Sequence, residues 1–290
     1  MGKIVVKFGG SSLADAAQFR KVRDIIRMDP RRCYVVPSAP GRRFPEDEKI
    51  TDLLYQTYRA QRNGENIEPI FRRVRERYLS IAEELGLSFP IARELDEVER
   101  LIREGASEDF CASRGEYLNG LLLADYLGFA FLDPKDLVFF NDDGTFDSER
   151  TNDVMAEKLK AVSQAVIPGF YGSIRGGEVH TFSRGGSDIS GSIVARAAYA
   201  DMYENWTDVN GFLMADPHIV PNARPIRHIT YRELRELAYR GASVLHEDSV
   251  VPVRRSGIPI HICNTFRPQA PGSWIVKEAK ETPAPITGIA

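Results

Sequence analysis

Lys7 lies near the end of an apolar run that is followed by two glycines, in the stretch IVVKFGGSS at residues 4–12. Burying an ammonium group costs free energy unless an anion meets it, so a lysine inside a strand suggests a charged partner or ligand. Gly9 and Gly10 let a ligand approach the backbone closely, and the serines that follow can cap a helix whose first amides favour anions. The stretch therefore indicates a phosphate or carboxylate site, or else a tight turn beside a lysine that reaches solvent.

A second glycine pair follows another predicted strand, in SRGGSD at residues 183–188. Arg184 offers a planar guanidinium that suits a carboxylate or a phosphate, and Asp188 supplies a carboxylate near the same turn. A structural Arg–Asp pair would explain these two residues. Two glycine-rich strand-to-helix turns in one chain are harder to explain by structure alone, so we interpret them as two halves of one anion site.

Short apolar segments alternate with helical patterns along the chain, which predicts an α/β fold with a mostly parallel sheet covered on both faces. Strands are predicted at 3–8, 33–39, 129–132, 137–140, 165–172, 179–182, 202–207 and 258–263. Helices are predicted at 14–28, 49–62, 67–85, 90–104, 110–127, 151–163, 187–200, 230–239 and 246–256, and the stretch 49–127 reads as a helical insertion. Ligands bind outside the carboxyl ends of strands in such sheets, which places on one rim four residues that follow or end strands: Lys7, Ser38, Ser183 and Thr207.

Composition limits the classes of function that are open to this chain. With 290 residues, 43% hydrophobic and 27% charged, it suits one large or two modest globular domains. A net charge of -3 argues against nucleic-acid binding driven by bulk charge, and no segment approaches the roughly 20 apolar residues of a membrane span. The three cysteines are widely spaced and include no CxxC pair, so neither disulfides nor a zinc site is predicted. The absence of a disulfide pattern predicts a cytoplasmic location. The charged loop 41–49 is expected to be a solvated connection, with a mobile flap as the alternative.

Several stretches together resemble the catalytic domain of aspartate kinases, within the amino-acid kinase family. The three main ones are KFGGSS at 7–12, FSRGGSD at 182–188 and TDVNGF with ADP at 207–217. Further similar stretches, in the same order along the chain, are VVPSAPG at 35–41, TDLL at 51–54, RGEYLNG at 114–120 and GASVLHEDSV at 241–250. The resemblance runs from residue 3 to about residue 276, and its ordered combination is more specific than any single motif.

This resemblance implies a three-layer αβα sandwich and a defined activity. The enzyme would transfer the γ-phosphoryl group of ATP, with Mg²⁺ carried on the nucleotide, to the side-chain carboxylate of L-aspartate. The product would be 4-phospho-L-aspartate, in the first step of lysine, threonine and methionine biosynthesis. Residues 1–280 would form the catalytic domain, with an amino-acid-binding part over about 1–165 and a nucleotide-binding part over about 166–280.

The resemblance also implies roles for individual residues. Lys7 would neutralise charge on the transferring phosphoryl group and the reacting carboxylate, and Asp188 would organise the centre by holding Lys7. The substrate would be bound by Thr51 at the reacting carboxylate, Arg184 at the α-carboxylate, Glu116 at the α-ammonium, and Ser38. The nucleotide would be bound by Gly9, Gly10, Ser11, Gly185, Gly186, Ser187, Thr207 and Asp208. No protein-bound metal is expected.

The chain departs from the family pattern at three positions on the nucleotide side. Ser243 stands where many aspartate kinases have a lysine, Leu213 where a tyrosine is common, and His218 where an arginine is common. Their roles are therefore not carried over. The sequence offers three other cations that could face the phosphates: Lys49, Arg224 and Arg227.

Two alternatives to aspartate phosphorylation stay open at this point. The first is another family enzyme, acting on a glutamate derivative, a carbamate or UMP, and the second is a non-catalytic regulator that binds an amino acid or a nucleotide. Residues 281–290 resemble a linker or the entry to an ACT regulatory region, so we expect the chain to be a catalytic fragment. We also expect a homodimer.

Overall fold

The computed structural model describes residues 2–183, 186–216, 219–239, 245, 247–278 and 287–288. The strands are β1 (Ile4–Phe8), β2 (Arg32–Pro37), β3 (Ala130–Phe131), β4 (Ala165–Val166), β5 (Tyr171–Ser173), β6 (Val179–Thr181), β7 (Met202–Thr207), β8 (His228–Thr230), β9 (Ile260–Asn264) and β10 (Ser273–Val276). Eight of them form one sheet in the order β3-β4-β2-β1-β7-β9-β10-β8, while β5 and β6 pair as a separate hairpin. Among the described residues, β9 and β10 are the antiparallel neighbours in the main sheet, which confirms the prediction of a mostly parallel sheet.

The helices are α1 (Ala16–Arg27), α2 (Ile50–Arg62), α3 (Glu68–Leu85), α4 (Ile91–Arg103), α5 (Glu108–Leu127), α6 (Ser148–Lys160), α7 (Gly186–Ala197), α8 (Tyr231–Tyr239) and α9 (Val251–Ser256). Short 3₁₀ turns lie at Gly10–Leu13, Pro134–Asp136 and Glu247–Val250. In the part of the chain that the structure describes, no helix is both long and apolar enough to cross a bilayer.

The helices cover both faces of the sheet, because strand residues alternate between two cores. In β1, Val5 packs into a core that includes residues of α6, α7, α8 and α9. Ile4, Val6 and Phe8 pack into the other core, with residues of α1 to α5. The predicted three-layer αβα sandwich is therefore confirmed.

Helix α5 crosses the second core and carries part of the site. Its first turn is capped by Ser107, whose hydroxyl oxygen accepts a hydrogen bond from the Phe110 amide at 3.2 Å, and it ends at Gly128 in the left-handed region, with φ of 69°. Residues around most of its circumference are buried, because α2, α3 and α4 pack against it. Polar side chains on this helix are therefore held away from water.

Several predicted elements differ from the observed ones. In the predicted strand 137–140, only Phe139 and Phe140 form isolated bridges, and the predicted strand 165–172 divides into β4 and β5 around Pro168. Strands β8 and β10 were not predicted, because three or four residues are too few to show a period. The helix predicted at 246–256 is a 3₁₀ turn followed by α9, in which Pro252 stands in the first turn.

The loop 41–49 is exposed at most of its positions, as predicted, but it is also anchored to the helical insertion. Arg77 of α3 is buried, and its guanidinium donates to the backbone oxygen of Gly41 at 2.8 Å and pairs with Asp47 at 2.5 Å. Arg43 also donates to the Asp47 carboxylate at 2.9 Å, and these hydrogen bonds and cations hold the pKa of Asp47 well below its usual range although its partial burial opposes this. The buried Arg77 side chain thus holds the solvated loop at two positions, Gly41 and Asp47.

The three cysteines, Cys33, Cys111 and Cys263, are buried free thiols. Their wide spacing in the sequence predicted neither a disulfide framework nor a metal-binding pair, and did not indicate their burial.

Candidate active site

Lys7 and Asp188 form a close ion pair at the centre of the sheet. Lys7 lies near the carboxyl end of β1, and Asp188 lies in the first turn of α7, which packs against β1. The Lys7 Nζ atom is 2.6 Å from Asp188 Oδ1, and Lys7 is only 7% exposed. The structure thus brings together the two residues from which the sequence predicted the catalytic centre, and the buried ammonium has its anion.

Two residues of β7 hold Asp188 in this position. The Asn205 Nδ2 group donates to Asp188 Oδ1 at 2.9 Å, and the Tyr203 hydroxyl donates to the Asp188 backbone oxygen at 3.2 Å. Burial raises the pKa of Tyr203 well above its usual value, so this hydroxyl remains a donor. Sequence reasoning missed both residues, and the signal available for Asn205 was a polar side chain inside the predicted strand 202–207.

The first glycine turn lies where three segments of backbone meet. Gly9 donates its amide to the Trp206 oxygen at 3.0 Å, and the Ser38 amide donates to the Phe8 oxygen at 3.0 Å. A Cβ atom on Gly10 would lie 2.9 Å from the backbone oxygen of Ala39, closer than real Cβ atoms approach. Gly10 is therefore required by the approach of the loop after β2, and Ser11, which follows it, is half-buried.

The second glycine turn is described from Gly186 onward. A Cβ atom on Gly186 would lie 2.5 Å from the Phe170 ring, and Ser187 lies against Gly169, where a Cβ atom would approach the Ser187 Cα to 2.9 Å. Phe170 itself has a positive φ of 81°, which is uncommon for a residue with a side chain.

Two predicted residues of this turn, Arg184 and Gly185, lie outside the described residues, so the expected α-carboxylate clamp stays a prediction. The strand that precedes Ser183 is β6 of the hairpin, so Ser183 does not follow a strand of the main sheet as expected.

Glu116 is a buried carboxyl group on α5 that faces the loop after β2. Its Oε1 atom accepts a hydrogen bond from the Ala39 amide at 3.1 Å, and its Oε2 atom has no hydrogen-bond partner among the described residues. Burial raises the pKa of Glu116 to about 8, although the Ala39 amide and the charges of Arg114 and Lys7 oppose this. An orphaned carboxylate oxygen of this kind can accept from a ligand that carries an ammonium group.

One other predicted substrate residue, Ser38, lies in the loop that Glu116 contacts. Asn119, one helical turn further along α5, donates to the backbone oxygen of Ser38 at 2.6 Å, so α5 holds the loop after β2 at two points. Thr51 lies half-buried in the first turn of α2. Asn119 was not predicted, although it lies within the RGEYLNG motif.

Thr207 is the last residue of β7 and Asp208 follows it, beside the first glycine turn. The Thr207 backbone oxygen accepts from the Thr265 amide at 2.9 Å, and the Asp208 backbone oxygen accepts from Asn264 Nδ2 at 3.2 Å. The Thr265 hydroxyl also lies 2.7 Å from the hydroxyl of Ser12, in the 3₁₀ turn after β1. Residues predicted for the nucleotide thus lie at the ends of two neighbouring strands.

The departures on the nucleotide side are described only in part. Leu213 is 37% exposed and forms a bridge with Pro225, while His218 and Ser243 lie outside the described residues. The three alternative cations, Lys49, Arg224 and Arg227, are all exposed, and Arg227 donates to the Gly272 backbone oxygen at 3.5 Å. Among the described residues, His, Cys, Asp and Glu side chains form no group of three or more that could hold a metal ion.

The fold and the glycine turns match a known family. The profile of the amino acid kinase family matches residues 2–264, so the chain belongs to this family. The sequence is 39% identical to aspartokinase 3 of Bacillus subtilis over 99% of this chain and 66% of that protein. It is 30% identical to the chloroplastic aspartokinase 1 of Arabidopsis thaliana over 98% of this chain and 54% of that protein.

Solved structures agree with these similarities. The aspartate kinase of Clostridium acetobutylicum superposes with a TM-score of 0.94 and 50% identity, over 99% of this chain and 66% of that one. Aspartokinase III of E. coli, solved in complex with aspartate and ADP, superposes with a TM-score of 0.84 and 28% identity, over 96% of this chain and 65% of that one. The chain therefore spans about two thirds or less of the length of these relatives.

Proposed function

We propose that the chain is an aspartate kinase catalytic domain, which phosphorylates the side-chain carboxylate of L-aspartate with ATP. The observation that carries the proposal is the pair formed by the buried Lys7 and Asp188, 2.6 Å apart, between two glycine turns at the ends of neighbouring elements. The aspartokinase relatives, one of them solved with aspartate and ADP, support the same substrates.

The charges around the site suit an amino acid that carries two carboxylates and one ammonium group. Glu116 provides a buried carboxyl group that ionises to pair with the α-ammonium, and one of its oxygens lacks a partner among the described residues. Lys7 provides a cation for the reacting carboxylate, and Arg184 is proposed to bind the α-carboxylate. Because a nucleotide such as UMP carries no ammonium group, the buried Glu116 favours an amino acid over UMP as the acceptor.

Phosphoryl transfer needs positioning and charge neutralisation more than covalent help from the protein. We propose that an oxygen of the aspartate side chain attacks the γ-phosphorus while the bond to the β,γ-bridging oxygen breaks, which releases ADP. Lys7 lowers the repulsion between the incoming carboxylate and the phosphoryl oxygens, and Asp188 keeps the ammonium group in place. The backbone around Gly9 and Gly10 would lie against the phosphates, and Mg²⁺ would arrive with ATP.

The test measures the acyl phosphate itself. Purified protein is incubated with MgATP, L-aspartate and hydroxylamine, and the expected result is aspartyl hydroxamate together with an equal amount of ADP. Lys7→Ala should lose at least about a hundredfold in kcat while circular dichroism shows an intact fold. A panel with glutamate derivatives, carbamate and UMP separates the other family activities, and an absence of turnover on every substrate would favour a non-catalytic regulator.

Four further statements extend this proposal beyond the catalytic residues. The amino-acid-binding and nucleotide-binding parts, about 1–165 and 166–280, stay a prediction. An ACT regulatory region beyond residue 281 is consistent with relatives that are longer than this chain. A homodimer is likewise proposed, and so is a cytoplasmic location, which the buried free cysteines favour.

A further inference from the structure

Asn205 lies directly beside Lys7 in the sheet, although 198 residues separate them along the chain. The parallel pairing of β1 and β7 places Lys7 opposite Asn205, and paired residues point to the same face. Both side chains reach the same atom, since Asp188 Oδ1 lies 2.6 Å from Lys7 Nζ and 2.9 Å from Asn205 Nδ2. The three residues therefore form one cluster, of which Asn205 is the neutral member.

Chemistry fixes the orientation of the Asn205 amide. An ionised carboxylate only accepts hydrogen bonds, so the NH₂ end of the amide must face Asp188 and the oxygen must face away. Asn205 is 4% exposed, and within the described residues its Oδ1 atom has no hydrogen-bond partner. Leaving a buried amide oxygen without a partner costs free energy, so the bond to Asp188 is retained at the expense of local stability.

Asn205 and Tyr203 hold different parts of Asp188. Tyr203, two residues earlier on the same face of β7, donates to the Asp188 backbone oxygen and therefore locates the first turn of α7. Asn205 donates to the side chain and therefore fixes the rotation of the carboxylate. With Oδ1 held by two donors, the second carboxylate oxygen is directed away from Asn205, on a side chain that is 20% exposed.

We propose that Asn205 is a positioning residue for phosphoryl transfer, which acts by locking the Asp188 carboxylate against Lys7. This inference rests on the proposed function, in which Lys7 neutralises the reacting groups. A cation of this kind is effective only if it stays in place while charge builds up, because a preorganised charge needs no rearrangement in the transition state. A neutral donor achieves this without a second positive charge that would weaken the pull of Asp188 on Lys7.

The kinetic test removes the amide while keeping its volume. Asn205→Leu is expected to lower kcat by about tenfold, with the KM values for aspartate and ATP within about threefold of the wild type. Asn205→Ala serves as a second variant in case the leucine is not accommodated. Ser192→Ala is the matched control, because Ser192 is buried on the same helix and donates to the Ser249 backbone oxygen instead of to Asp188. The control should leave kcat within about twofold.

A double-mutant cycle tests the contact without using turnover. The free energies of unfolding of the wild type, Asn205→Leu, Asp188→Ala and the double variant are measured by urea denaturation. The expected result is non-additivity, because each single variant breaks the same hydrogen bond. Additive effects would overturn the proposal, and so would clear coupling accompanied by a kcat equal to that of the wild type.

The two arms also separate this inference from the proposed function. If the cycle shows coupling while the wild type phosphorylates a different acceptor from the panel, aspartate is the wrong substrate. Comparing kcat of the wild type and Asn205→Leu on that acceptor then decides the role of Asn205. If the cycle shows coupling and no acceptor is phosphorylated, the catalytic proposal and the positioning role both fail, and the contact is structural only.

Discussion

Raising the pH from 6 to 8 is expected to strengthen aspartate binding through the ionisation of Glu116. Burial raises the pKa of this carboxyl group to about 8, and its Oε2 atom has no partner among the described residues. Only the ionised form can pair with the α-ammonium of the substrate, so the protein must lose a proton before or during binding.

The size of the effect follows from the pKa. With a pKa of about 8, the ionised fraction rises from roughly 1% at pH 6 to roughly half at pH 8. The apparent affinity for aspartate should therefore rise by about fiftyfold, which is about 2 kcal/mol. At pH 7 the binding of one aspartate should release nearly one proton, because most of the free protein is still protonated at Glu116.

Isothermal titration calorimetry without nucleotide measures both quantities. Titrations at pH 6, 7 and 8 give the affinities, and repeating them in two buffers of different ionisation enthalpy gives the number of protons released. Glu116→Gln is the matched control, since its neutral amide should bind aspartate weakly and with no comparable dependence on pH. Equal affinities at pH 6 and 8 in the wild type, or binding without proton release at pH 7, would refute the reasoning.

Three further predictions concern stability. The pKa of Glu116 in the folded protein lies above its ordinary value of 4.5, so its contribution to stability is lost as the pH rises from 4.5 to 8. Glu116→Gln should therefore raise Tm above that of the wild type by more at pH 8 than at pH 5. An equal difference in Tm at both pH values would contradict this. Gly10→Ala should cost about 1–3 kcal/mol in urea denaturation, because its Cβ would meet the Ala39 oxygen at 2.9 Å, and a neutral effect would show that the loop yields. Arg77→Ala should lower the free energy of unfolding by about 3 kcal/mol. The depressed pKa of Asp47 stabilises the fold only above the ordinary pKa of a carboxyl group, so the variant should also lose less stability than the wild type when the pH falls below 4. An unchanged loss of stability below pH 4 would argue against the pairing of Arg77 with Asp47.

The parts of the fold that could be predicted are those with a local pattern. The apolar period of α1 and the apolar run of β1 indicated a helix and a strand from neighbouring residues alone, and both are observed close to their predicted bounds. The glycine turns identified Lys7 and Asp188 as parts of one site, and the structure brings these two residues into contact.

The parts that could not be predicted depend on contacts between distant residues. Asn205 reaches Asp188 only because β7 pairs with β1 in one particular register, and no pattern around residue 205 encodes that register. In the same way, the charged composition of the loop 41–49 indicated exposure but not anchoring. Its attachment to Arg77 depends on how α3 of the helical insertion packs against Gly41 and Asp47 of the loop.

The central claim is that Lys7, held by Asp188, stands where the aspartate carboxylate meets the γ-phosphate of ATP. A crystal structure of the protein with L-aspartate and a nonhydrolysable ATP analogue tests this claim most directly. We predict that the Lys7 Nζ atom lies within about 3.5 Å of both a side-chain oxygen of aspartate and a γ-phosphate oxygen, with its contact to Asp188 retained. Substrates bound on a surface that Lys7 does not reach would contradict the claim.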